Sequence, residues 1–432
     1  MKKIMESFRE KSASVAVIGL GYVGLPLSVE LGKVGFEVIG IDINKEKVDS
    51  INRGESYVFD IDSRELYALV KRGKISATAD YSVLQGVGII CICVPTPLNK
   101  TKDPDISHII DCCQGVAKYL RKGHLIVVES TTYPGTTREV VKPILENSGM
   151  VVGKDFYLAF SPERIDPGNK RYFLKNIPKV VGGLTPACTE VAKVFFEQTV
   201  EKVITVSSTE SAEMVKLLEN TFRSVNIALV NEVAIMCCRL GIDVWEIIEA
   251  ASTKPFGFIT FYPGPGSGGH CIPVDPHYLS WKLKMLNYYA RFIELAGEIN
   301  SNMPYFIVNR ITELLNEREK PIKGSTFLVL GVAYKKGIDD TRESPSIDIM
   351  RILMQKGGRV FYNDPYVPLL KTNEEAMKSQ ALTEGALAQA DCVIIATDHS
   401  VYDYKWIVEH SQLVFDTRNA TRGIDSEKVY KL

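Results

Sequence analysis

The stretch SVAVIGLGYVGLPLSVELGKVGFEVIGIDIN, residues 14–44, decides the fold of the first part of the chain. The apolar run VAVI near its start is typical of a parallel strand that is buried on both faces. Gly19, Gly21 and Gly24 follow as GxGxxG at the beginning of a helical pattern, and a second apolar run ends in Asp42. Glycines also mark ordinary turns. A strand before them, a helix after them and an acid 18 residues beyond the last glycine together indicate a dinucleotide-binding unit.

These residues predict NAD as the dinucleotide. The glycines allow a pyrophosphate to approach the backbone at the helix N-terminus, where free N–H groups and the helix dipole favour an anion. Asp42 is expected to accept hydrogen bonds from the adenosine ribose hydroxyls. Its negative charge would repel the additional phosphate of NADP, so we expect a preference for NAD.

Strand and helix patterns continue to alternate beyond this stretch, which predicts a doubly wound sheet. The segments VPTP (94–97), STTYPG (130–135) and SPER (161–164) each follow a predicted strand. In such a sheet, ligands bind at the carboxyl ends of the strands. We therefore expect the three segments to line one cleft.

The character of the chain changes after this part. Two long helical patterns lie between about 207 and 317. Strands and helices then alternate again from GSTFLVLGVAYKKGIDDTRESPS (324–346), which lacks GxGxxG and carries Lys335, Lys336 and Arg342. These cations suit a phosphate-bearing ligand other than a dinucleotide, or else form a solvated charge cluster.

The predicted fold class is α/β, with two Rossmann-like doubly wound domains joined by a core of long helices. We place an NAD-binding domain at 1–206, a helical central domain at 207–320 and a second α/β domain at 321–432.

Composition excludes several classes of protein. The 432 residues carry a formal net charge of -1, so no basic field indicates a nucleic-acid partner. No apolar stretch reaches the roughly 18 to 20 residues that a membrane span needs, and the N-terminus lacks an apolar signal core. We therefore expect a cytoplasmic protein without a membrane partner. The nine cysteines form no CxxC pair, and their odd number predicts reduced, mostly buried thiols.

One cysteine lies in an unusual setting, GPGSGGHCIPVDP at 264–276. Three interpretations compete for Cys271: a metal ligand, an inert buried thiol, or a nucleophile whose flexible backbone lets a substrate come close. His270, Asp275 and His277 are further possible metal ligands. Adjacent ligands such as His270 and Cys271 rarely converge on one ion, and no second cluster supplies the remainder, so we predict no metal site.

Seven motifs together carry a resemblance that covers nearly the whole chain. They are GLGYVGLP, VPTP, STTYPGTT, SPER, EMVKLLEN, GPGSGGHCIPVDP and AYKKGIDDTRESP. In these the sequence resembles the UDP-glucose/GDP-mannose dehydrogenase family, the nucleotide-sugar 6-dehydrogenases. The resemblance implies oxidation of the C6 alcohol of a nucleotide-linked sugar to a carboxylate, with two NAD and one catalytic cysteine. It also implies a homodimer or higher homo-oligomer formed by the central domain, and a C-terminal domain that binds the UDP part of the substrate.

The family's motifs assign roles to individual residues of this chain. Cys271 is implied to be the nucleophile and Asp275 its acidic partner. Lys216 and Asn220 are implied to stabilise the oxyanion at C6. Glu163 is implied to activate the hydrolytic water, and Thr131 to help position a water.

Further residues are assigned to the ligands on the same basis. Cofactor binding is assigned to Gly19, Gly21, Tyr22, Val23, Gly24, Asp42, Lys47, Thr96, Thr131 and Arg342. Substrate binding is assigned to Glu163, Arg164, Lys216, Asn220, Tyr262, Gly268 and Lys335.

Two departures from the UDP-glucose enzymes concern the substrate. Pro167 stands where those enzymes carry a second glutamate, and Lys254 lies one position from the place of their substrate-binding arginine. SPERIDPGN and TKPFGF instead resemble members that act on UDP-N-acetylhexosamines, most closely on UDP-N-acetylglucosamine. The N-acetylmannosamine and N-acetylgalactosamine epimers and UDP-glucose remain alternatives.

Two other function classes stay open beside the dehydrogenase. A protein that senses NAD and a nucleotide sugar without turnover would need no nucleophile. An epimerase would use a Tyr-x-x-x-Lys pair and no cysteine.

Overall fold

The structure is a computed structural model, and it describes residues 1–58, 60–99, 103–166, 168–169, 171–372 and 376–432. The chain folds into two compact units. The first comprises Met1–Glu219 and His277–Tyr288, and the second comprises Asn220–Pro276 and Tyr289–Leu432.

The first unit is built on an eight-stranded sheet. Its strands are β1 (Val15–Ile18), β2 (Val38–Ile41), β3 (Ile75–Thr78), β4 (Ile89–Ile92), β5 (Leu125–Val128), β6 (Tyr157–Phe160), β7 (Lys179–Gly183) and β8 (Val203–Thr205). They lie in the order β3-β2-β1-β4-β5-β6-β7-β8, and only the β6–β7 pair is antiparallel within the described residues. The order of the first six is that of a Rossmann sheet, whose ligands bind where the order reverses, between β1 and β4.

Helices cover both faces of this sheet. They are α1 (Lys2–Arg9), α2 (Gly24–Lys33), α3 (Lys45–Arg53), α4 (Ser63–Lys71), α5 (Ser107–Lys118), α6 (Lys142–Glu146) and α7 (Pro186–Phe196), with a 3₁₀ segment at Tyr81–Gly86 and a π-helical turn at Thr137–Val141. Strand residues divide between two cores by alternation. Val15 and Val17 of β1 belong to one core with α2 and α7, whereas Ala16 and Ile18 belong to the other with α5. All four are buried, which explains the continuous apolar run in the sequence.

Four helices follow in the middle of the chain. They are α8 (Thr209–Leu240), α9 (Val244–Ser252), α10 (Asp275–Lys284) and α11 (Arg291–Asn316). The α8 helix contributes residues to both units, and α11 belongs to the second. The predicted pair of long helices is therefore present.

The second unit contains a five-stranded parallel sheet and a separate antiparallel pair. Its strands are β9 (Thr326–Leu330), β10 (Arg359–Asn363), β11 (Leu369–Lys371), β12 (Ala376–Lys378), β13 (Cys392–Ile395), β14 (Val414–Asp416) and β15 (Val429–Lys431). Its remaining helices are α12 (Pro345–Gln355), α13 (Glu384–Gln389) and α14 (Tyr404–His410). The order β10-β9-β13-β14-β15 is the doubly wound 2-1-3-4-5 arrangement, and β11 pairs with β12.

The second sheet is buried by the same alternation as the first. Phe327 and Val329 of β9 pack in one core with α11 and α12, and Leu328 and Leu330 pack in the other with α13 and α14. The predicted α/β fold class is confirmed, with two doubly wound sheets and long helices between them in the chain.

One sequence expectation needs correction. Among the described residues, α8 is long and apolar enough to qualify as a membrane span by length and composition. This candidate span was not expected, because Arg223, Asn231 and Glu232 interrupt its apolar residues. This is weak evidence for a span, since the core helix of a soluble protein passes the same test.

Candidate active site

The glycine-rich turn after β1 is held by the acid that follows β2. Asp42 Oδ2 accepts a hydrogen bond from Leu20 N at 2.9 Å, and its Oδ1 accepts one from Asn44 N at 2.9 Å. Lys47 Nζ lies 3.7 Å from Asp42 Oδ2. Asp42 is therefore a buried, oriented carboxylate directly beside the GxGxxG loop.

The three glycines of this loop have different surroundings. A Cβ on Gly24 would lie 1.9 Å from the carbonyl oxygen of Gly19, and one on Gly19 would lie 2.6 Å from that of Cys93. A Cβ on Gly21 would have no protein atom within 4 Å. Gly19 and Gly24 are thus required by close packing, whereas the backbone at Gly21 faces open space. These residues fit NAD, because a pyrophosphate needs such an open backbone at a helix N-terminus.

The other residues predicted to bind cofactor are also in the first unit, except Arg342. Tyr22 is exposed, and Val23 precedes α2. Thr96 is buried, and its carbonyl oxygen accepts a hydrogen bond from Tyr278 Oη at 2.6 Å. Thr131, three residues after β5, is half-buried.

The loop that carries Thr131 is anchored by a buried glutamate from α8. The carboxylate of Glu213 accepts hydrogen bonds from Gly135 N at 2.6 Å, Thr137 N at 2.9 Å and Thr137 Oγ1 at 2.7 Å. Burial raises the pKa of Glu213 by more than these hydrogen bonds lower it, and the resulting pKa is about 7. Glu213 was not predicted from the sequence, because it lies 76 residues from Thr137.

Glu163 follows β6 and belongs to a buried cluster of three charges. Lys179, the first residue of β7, places its Nζ 3.0 Å from Glu163 Oε2 and 2.5 Å from Glu129 Oε2. The side chains of Lys179, Glu129 and Glu163 are 5%, 0% and 13% exposed. Glu163 Oε1 also accepts hydrogen bonds from the backbone N–H groups of Arg164 at 2.6 Å and Ile165 at 2.8 Å.

Burial acts on both carboxylates of this cluster, with different results. Burial raises the pKa of Glu163, but Lys179 and the two N–H groups outweigh it, so the pKa is lowered overall. The pKa of Glu129 is raised, mainly by burial, despite the charge of Lys179. Glu129 Oε1 has no hydrogen-bond partner within the described residues.

The Glu129–Lys179 pair was missed by the sequence analysis. Glu129 directly follows a strand that is buried throughout, and Lys179 begins another, so each charge borders an apolar run. This placement was a usable signal, since buried charges are almost always paired.

Arg164, which is predicted to bind substrate, already has strong partners. Its guanidinium donates to Glu219 Oε1 at 2.6 Å and Oε2 at 3.2 Å, and to the Pro178 carbonyl oxygen at 2.6 Å. Pro167, three residues further, lies outside the described residues.

Lys216 and Asn220 are buried on α8, one helical turn apart. In the second unit, Asn220 Nδ2 donates a hydrogen bond to Asp275 Oδ2 at 2.5 Å. Asp275 is 1% exposed and begins α10. Asn220 and Asp275, to which the resemblance assigns different roles, are therefore in direct contact.

Cys271 lies in the turn before α10, where its carbonyl oxygen accepts a hydrogen bond from Asp275 N at 2.8 Å. Its side chain is only partly buried. Seven of the other eight cysteines are buried, and burial raises the pKa of several, for example to about 12 for Cys112. No disulfide joins the nine thiols, as predicted.

The glycines before Cys271 pack tightly against protein atoms. A Cβ on Gly268 would lie 2.6 Å from Tyr334 Cβ, and one on Gly269, with φ +86°, would lie 2.9 Å from the Tyr334 ring. Gly269 N donates to the Arg342 carbonyl oxygen at 3.0 Å. The loop therefore needs glycine for its own packing, a reason that the sequence analysis did not give.

The remaining predicted residues also lie in the second unit. The guanidinium of Arg342 makes a two-pronged ion pair with Asp340, at 2.6 Å for Nη2 to Oδ2. Lys335 is half-buried, and exposed Tyr262 stacks its ring on Trp245 with centroids 6.1 Å apart. No group of three or more His, Cys, Asp or Glu side chains is arranged to hold a metal ion in the described part of the chain.

Comparison with known proteins assigns the chain to a family. Residues 13–200 match the NAD binding domain of the UDP-glucose/GDP-mannose dehydrogenase family, 210–302 its central domain and 328–423 its UDP binding domain. The chain belongs to this family. The predicted resemblance is confirmed, and the UDP-glucose/GDP-mannose dehydrogenase family accounts for NAD as cofactor and for a UDP-sugar as substrate.

Individual members of the UDP-glucose/GDP-mannose dehydrogenase family are similar over most of their length. The chain is 36% identical over 400 residues to a UDP-N-acetyl-D-glucosamine 6-dehydrogenase of Pseudomonas aeruginosa, covering 91% of this chain and 92% of the relative. It is 37% identical over 387 residues to a UDP-N-acetyl-D-mannosamine dehydrogenase of Pyrococcus horikoshii, covering 89% of each.

A solved structure agrees with these matches. The UDP-D-ManNAc dehydrogenase of Pyrococcus horikoshii superposes with a TM-score of 0.89 at 34% identity, covering 97% of this chain and 98% of that one. The protein is therefore an NAD-dependent nucleotide-sugar dehydrogenase of the UDP-glucose/GDP-mannose dehydrogenase family, and the predicted enzyme class is confirmed.

Proposed function

We propose that the protein oxidises the C6 alcohol of UDP-N-acetylglucosamine to the uronate through a thioester on Cys271. The observation that carries this proposal is the partly buried Cys271, whose carbonyl oxygen accepts from Asp275 N, while the Asp275 carboxylate accepts the buried hydrogen bond of Asn220. Seven of the other eight cysteines are buried. A polar network next to one accessible thiol is what a nucleophile requires.

When bound, NAD would supply the hydride acceptor for each of the two oxidations at C6. On the protein, Gly21 leaves room for the pyrophosphate, and Asp42 offers a carboxylate to the ribose hydroxyls. Thr96, Thr131 and Arg342 are proposed as further cofactor contacts.

The chain's own residues act on the sugar in two stages. The Cys271 thiolate adds to the C6 aldehyde, and Lys216 and Asn220 donate to the resulting oxyanion. Asn220 is oriented by Asp275 and has a second amide hydrogen for this purpose. After the second oxidation, C6 is joined to the sulfur as a thioester.

Hydrolysis then releases the product. Glu163 takes a proton from a water that Thr131 helps to position, the water oxygen bonds to C6, and the C6–sulfur bond breaks. The overall change converts the alcohol, one water and two NAD into the carboxylate, two NADH and three protons. Lys335, Arg164, Tyr262 and Gly268 are proposed to bind the nucleotide and sugar.

UDP-N-acetylmannosamine should be tested as a second candidate substrate, because one relative of 37% identity is a UDP-N-acetyl-D-mannosamine dehydrogenase. The protein should be incubated with NAD and a panel of UDP-N-acetylhexosamines and UDP-glucose, with NADH and sugar acid measured at the end point. We expect two NADH per UDP-N-acetylglucosamine consumed and no free aldehyde. A ratio near one would refute the covalent scheme, and a strong preference for another sugar would reassign the substrate.

The role of Glu163 has a separate test, because its carboxylate also anchors the backbone of residues 164 and 165. Glu163→Gln should give a burst of two NADH per active site and then stall with an acyl group on Cys271, seen by intact-protein mass spectrometry. Glu139→Gln, at an exposed ion pair, is the matched control. Steady turnover of Glu163→Gln without an adduct would transfer the role to Asp275.

We also propose that the enzyme is cytoplasmic, contributes to surface polysaccharide or glycan synthesis, and is a homodimer or larger. The domain division at 1–206, 207–320 and 321–432 belongs to the same proposal. Exposed apolar side chains on α8 and α11 support self-association, among them Phe222, Leu229, Phe292 and Leu295. Light scattering after size exclusion would measure the mass, and a monomer at micromolar concentration would contradict it.

A further inference from the structure

The buried cluster of Glu129, Lys179 and Glu163 is not explained by stability alone. Two carboxylates and one ammonium are removed from water, which costs several kcal/mol per ion before they interact. Replacing such groups by apolar ones of similar size is often neutral or stabilising. One oxygen of Glu129 also lacks a partner within the described residues. A cluster of this kind at the carboxyl ends of the strands therefore calls for a functional explanation.

The cluster is attached to two residues of the proposed hydrolytic step. Glu163 is a member of it, and Thr131 lies two residues after Glu129. Glu129 follows β5, Glu163 follows β6 and Lys179 begins β7, so neighbouring strands bring all three to one edge of the sheet. Lys179 is therefore in direct contact with the carboxylate that is proposed to accept the proton of water.

The contacts of Glu163 favour the ionised form of its carboxylate and fix its orientation. Its Oε1 accepts from two backbone N–H groups, and its Oε2 accepts from Lys179 Nζ at 3.0 Å. Glu129 has Lys179 as its charged partner and an unpartnered oxygen in the described structure. The lysine thus serves two carboxylates, and Glu163 is supported on both of its oxygens.

Other titratable groups near the cluster do not supply a competing charge. The Cys91 and Cys93 thiols border it from β4 and the residue after it, and burial raises the pKa of both well above the usual range, so they are neutral. The guanidinium of Arg164 is directed to Glu219 and to a carbonyl oxygen. Lys179 is the cation that acts on Glu163 in the described part of this unit.

We propose that Lys179 is a positioning residue that holds Glu163 ionised and oriented, and that Glu129 is a second carboxylate that competes with Glu163 for the charge of Lys179. The proposal rests on the assignment of Glu163 as the base for thioester hydrolysis. Lys179 itself touches neither substrate nor cofactor in this role. Its effect is to keep the base in its proton-accepting form at pH values where an unassisted buried glutamate would be protonated.

The test is the pH dependence of acyl-enzyme decay in single-turnover experiments, measured by quenched flow and intact-protein mass spectrometry. Lys179→Met should move the acid midpoint upward by about 1 pH unit or more, the usual effect of removing an adjacent opposite charge. Below that midpoint, decay should slow about tenfold per pH unit. Lys179→Arg keeps the charge and should keep the wild-type midpoint.

In contrast to Lys179→Met, Glu129→Gln should not raise the acid midpoint of acyl-enzyme decay. It leaves an acceptor for Lys179 but removes the competing charge, so the midpoint should be no higher than in the wild type. Lys122→Met is the matched control, since Lys122 pairs with Asp155 near the other end of β5. A merely structural cluster would lower the melting temperature in Lys179→Met without moving the midpoint, which would overturn the proposal. A raised midpoint in Glu129→Gln would overturn the assignment of Glu129.

Failure of this proposal can be distinguished from failure of the base assignment. If Glu163→Gln hydrolyses the thioester normally, the base assignment is wrong, whatever Lys179 does. The carboxyl resonance of Glu163 can then be followed by ¹³C NMR in the intact enzyme, identified as the signal that Glu163→Gln lacks. Titration of that signal at higher pH in Lys179→Met than in the wild type would support the effect of Lys179 on Glu163, and an unchanged titration would refute it.

Discussion

Replacing Gly24 by alanine should destabilise the first unit, whereas the same change at Gly21 should leave its stability unchanged and weaken NAD binding. The Cβ of an alanine at 24 would lie 1.9 Å from the Gly19 carbonyl oxygen, and real Cβ atoms essentially never approach closer than 3.0 Å. The turn between β1 and α2 would have to open by about 1.1 Å, the difference between these distances. Overpacking usually costs about 1–3 kcal/mol, and here the obstacle is backbone, so we expect about 3 kcal/mol or more.

The expected change in melting temperature follows from the size of the unit. For domains of about 150–250 residues, 1 kcal/mol corresponds to roughly 2–4 °C, so Gly24→Ala should lower the transition of the first unit by roughly 6–12 °C. An alanine at Gly21 meets no protein atom within 4 Å, so the transition should stay within about 1–2 °C. Its methyl group would instead occupy the space that a pyrophosphate needs.

Two measurements separate these effects. Calorimetry without NAD should show the low transition only in Gly24→Ala, and titration calorimetry should show at least about tenfold weaker NAD binding in Gly21→Ala, a loss of about 1.4 kcal/mol. Added NAD should raise the melting temperature of the wild type far more than that of Gly21→Ala. A stable Gly24→Ala, or a Gly21→Ala that binds NAD normally, would refute the reasoning from packing.

Three further predictions concern single side chains. Cys271→Ser should abolish sugar acid formation but leave the NAD dissociation constant within about twofold, and acid formation at the wild-type rate would exclude the thioester. Asp42→Ala should weaken NAD binding and reduce the ratio of kcat/KM with NAD to kcat/KM with NADP. Equal use of both cofactors by the wild type would contradict this prediction. The pKa of Glu213 is raised from 4.5 to about 7 in the fold, so its contribution to stability is complete below about pH 4.5 and lost as the pH rises through 7. The free energy of unfolding of the wild type, relative to that of Glu213→Gln, should therefore fall by up to about 3 kcal/mol over this pH range and no further above it. A constant difference in the free energy of unfolding across the range would argue against that pKa.

The sequence predicted the fold well where both faces of a strand are buried. The apolar run VAVI coincides with β1 (Val15–Ile18), and the second apolar run, which ends in Asp42, contains β2 (Val38–Ile41). A continuous apolar run bounded by glycine or polar residues has few other solutions in an α/β protein. The chain after Gly135 forms a π-helical turn at Thr137–Val141, a distortion that periodicity does not reveal.

The candidate site was predictable where its residues are close in the chain. Asp42 beside the glycine loop and Lys216 with Asn220 on one helix follow from local spacing. The contact between Asn220 and Asp275 joins residues 55 positions apart and was not predicted, because the resemblance assigned these residues only separate roles. Lys179 and Glu129 each border an apolar run, but only tertiary packing brings them together, and their pairing was not predicted.

The buried ion pair between Glu129 and Lys179 also constrains how the sequence can drift. A single replacement that removes either charge leaves the other charge buried and unpaired, which lowers the free energy of unfolding by about 3–5 kcal/mol. That is a large share of the roughly 5–15 kcal/mol by which folded proteins exceed their unfolded states. The two positions should consequently change in concert over evolution, becoming neutral together or exchanging charge types together. Lineages that carry only one of the two charges should show a compensating change close by in the same interior.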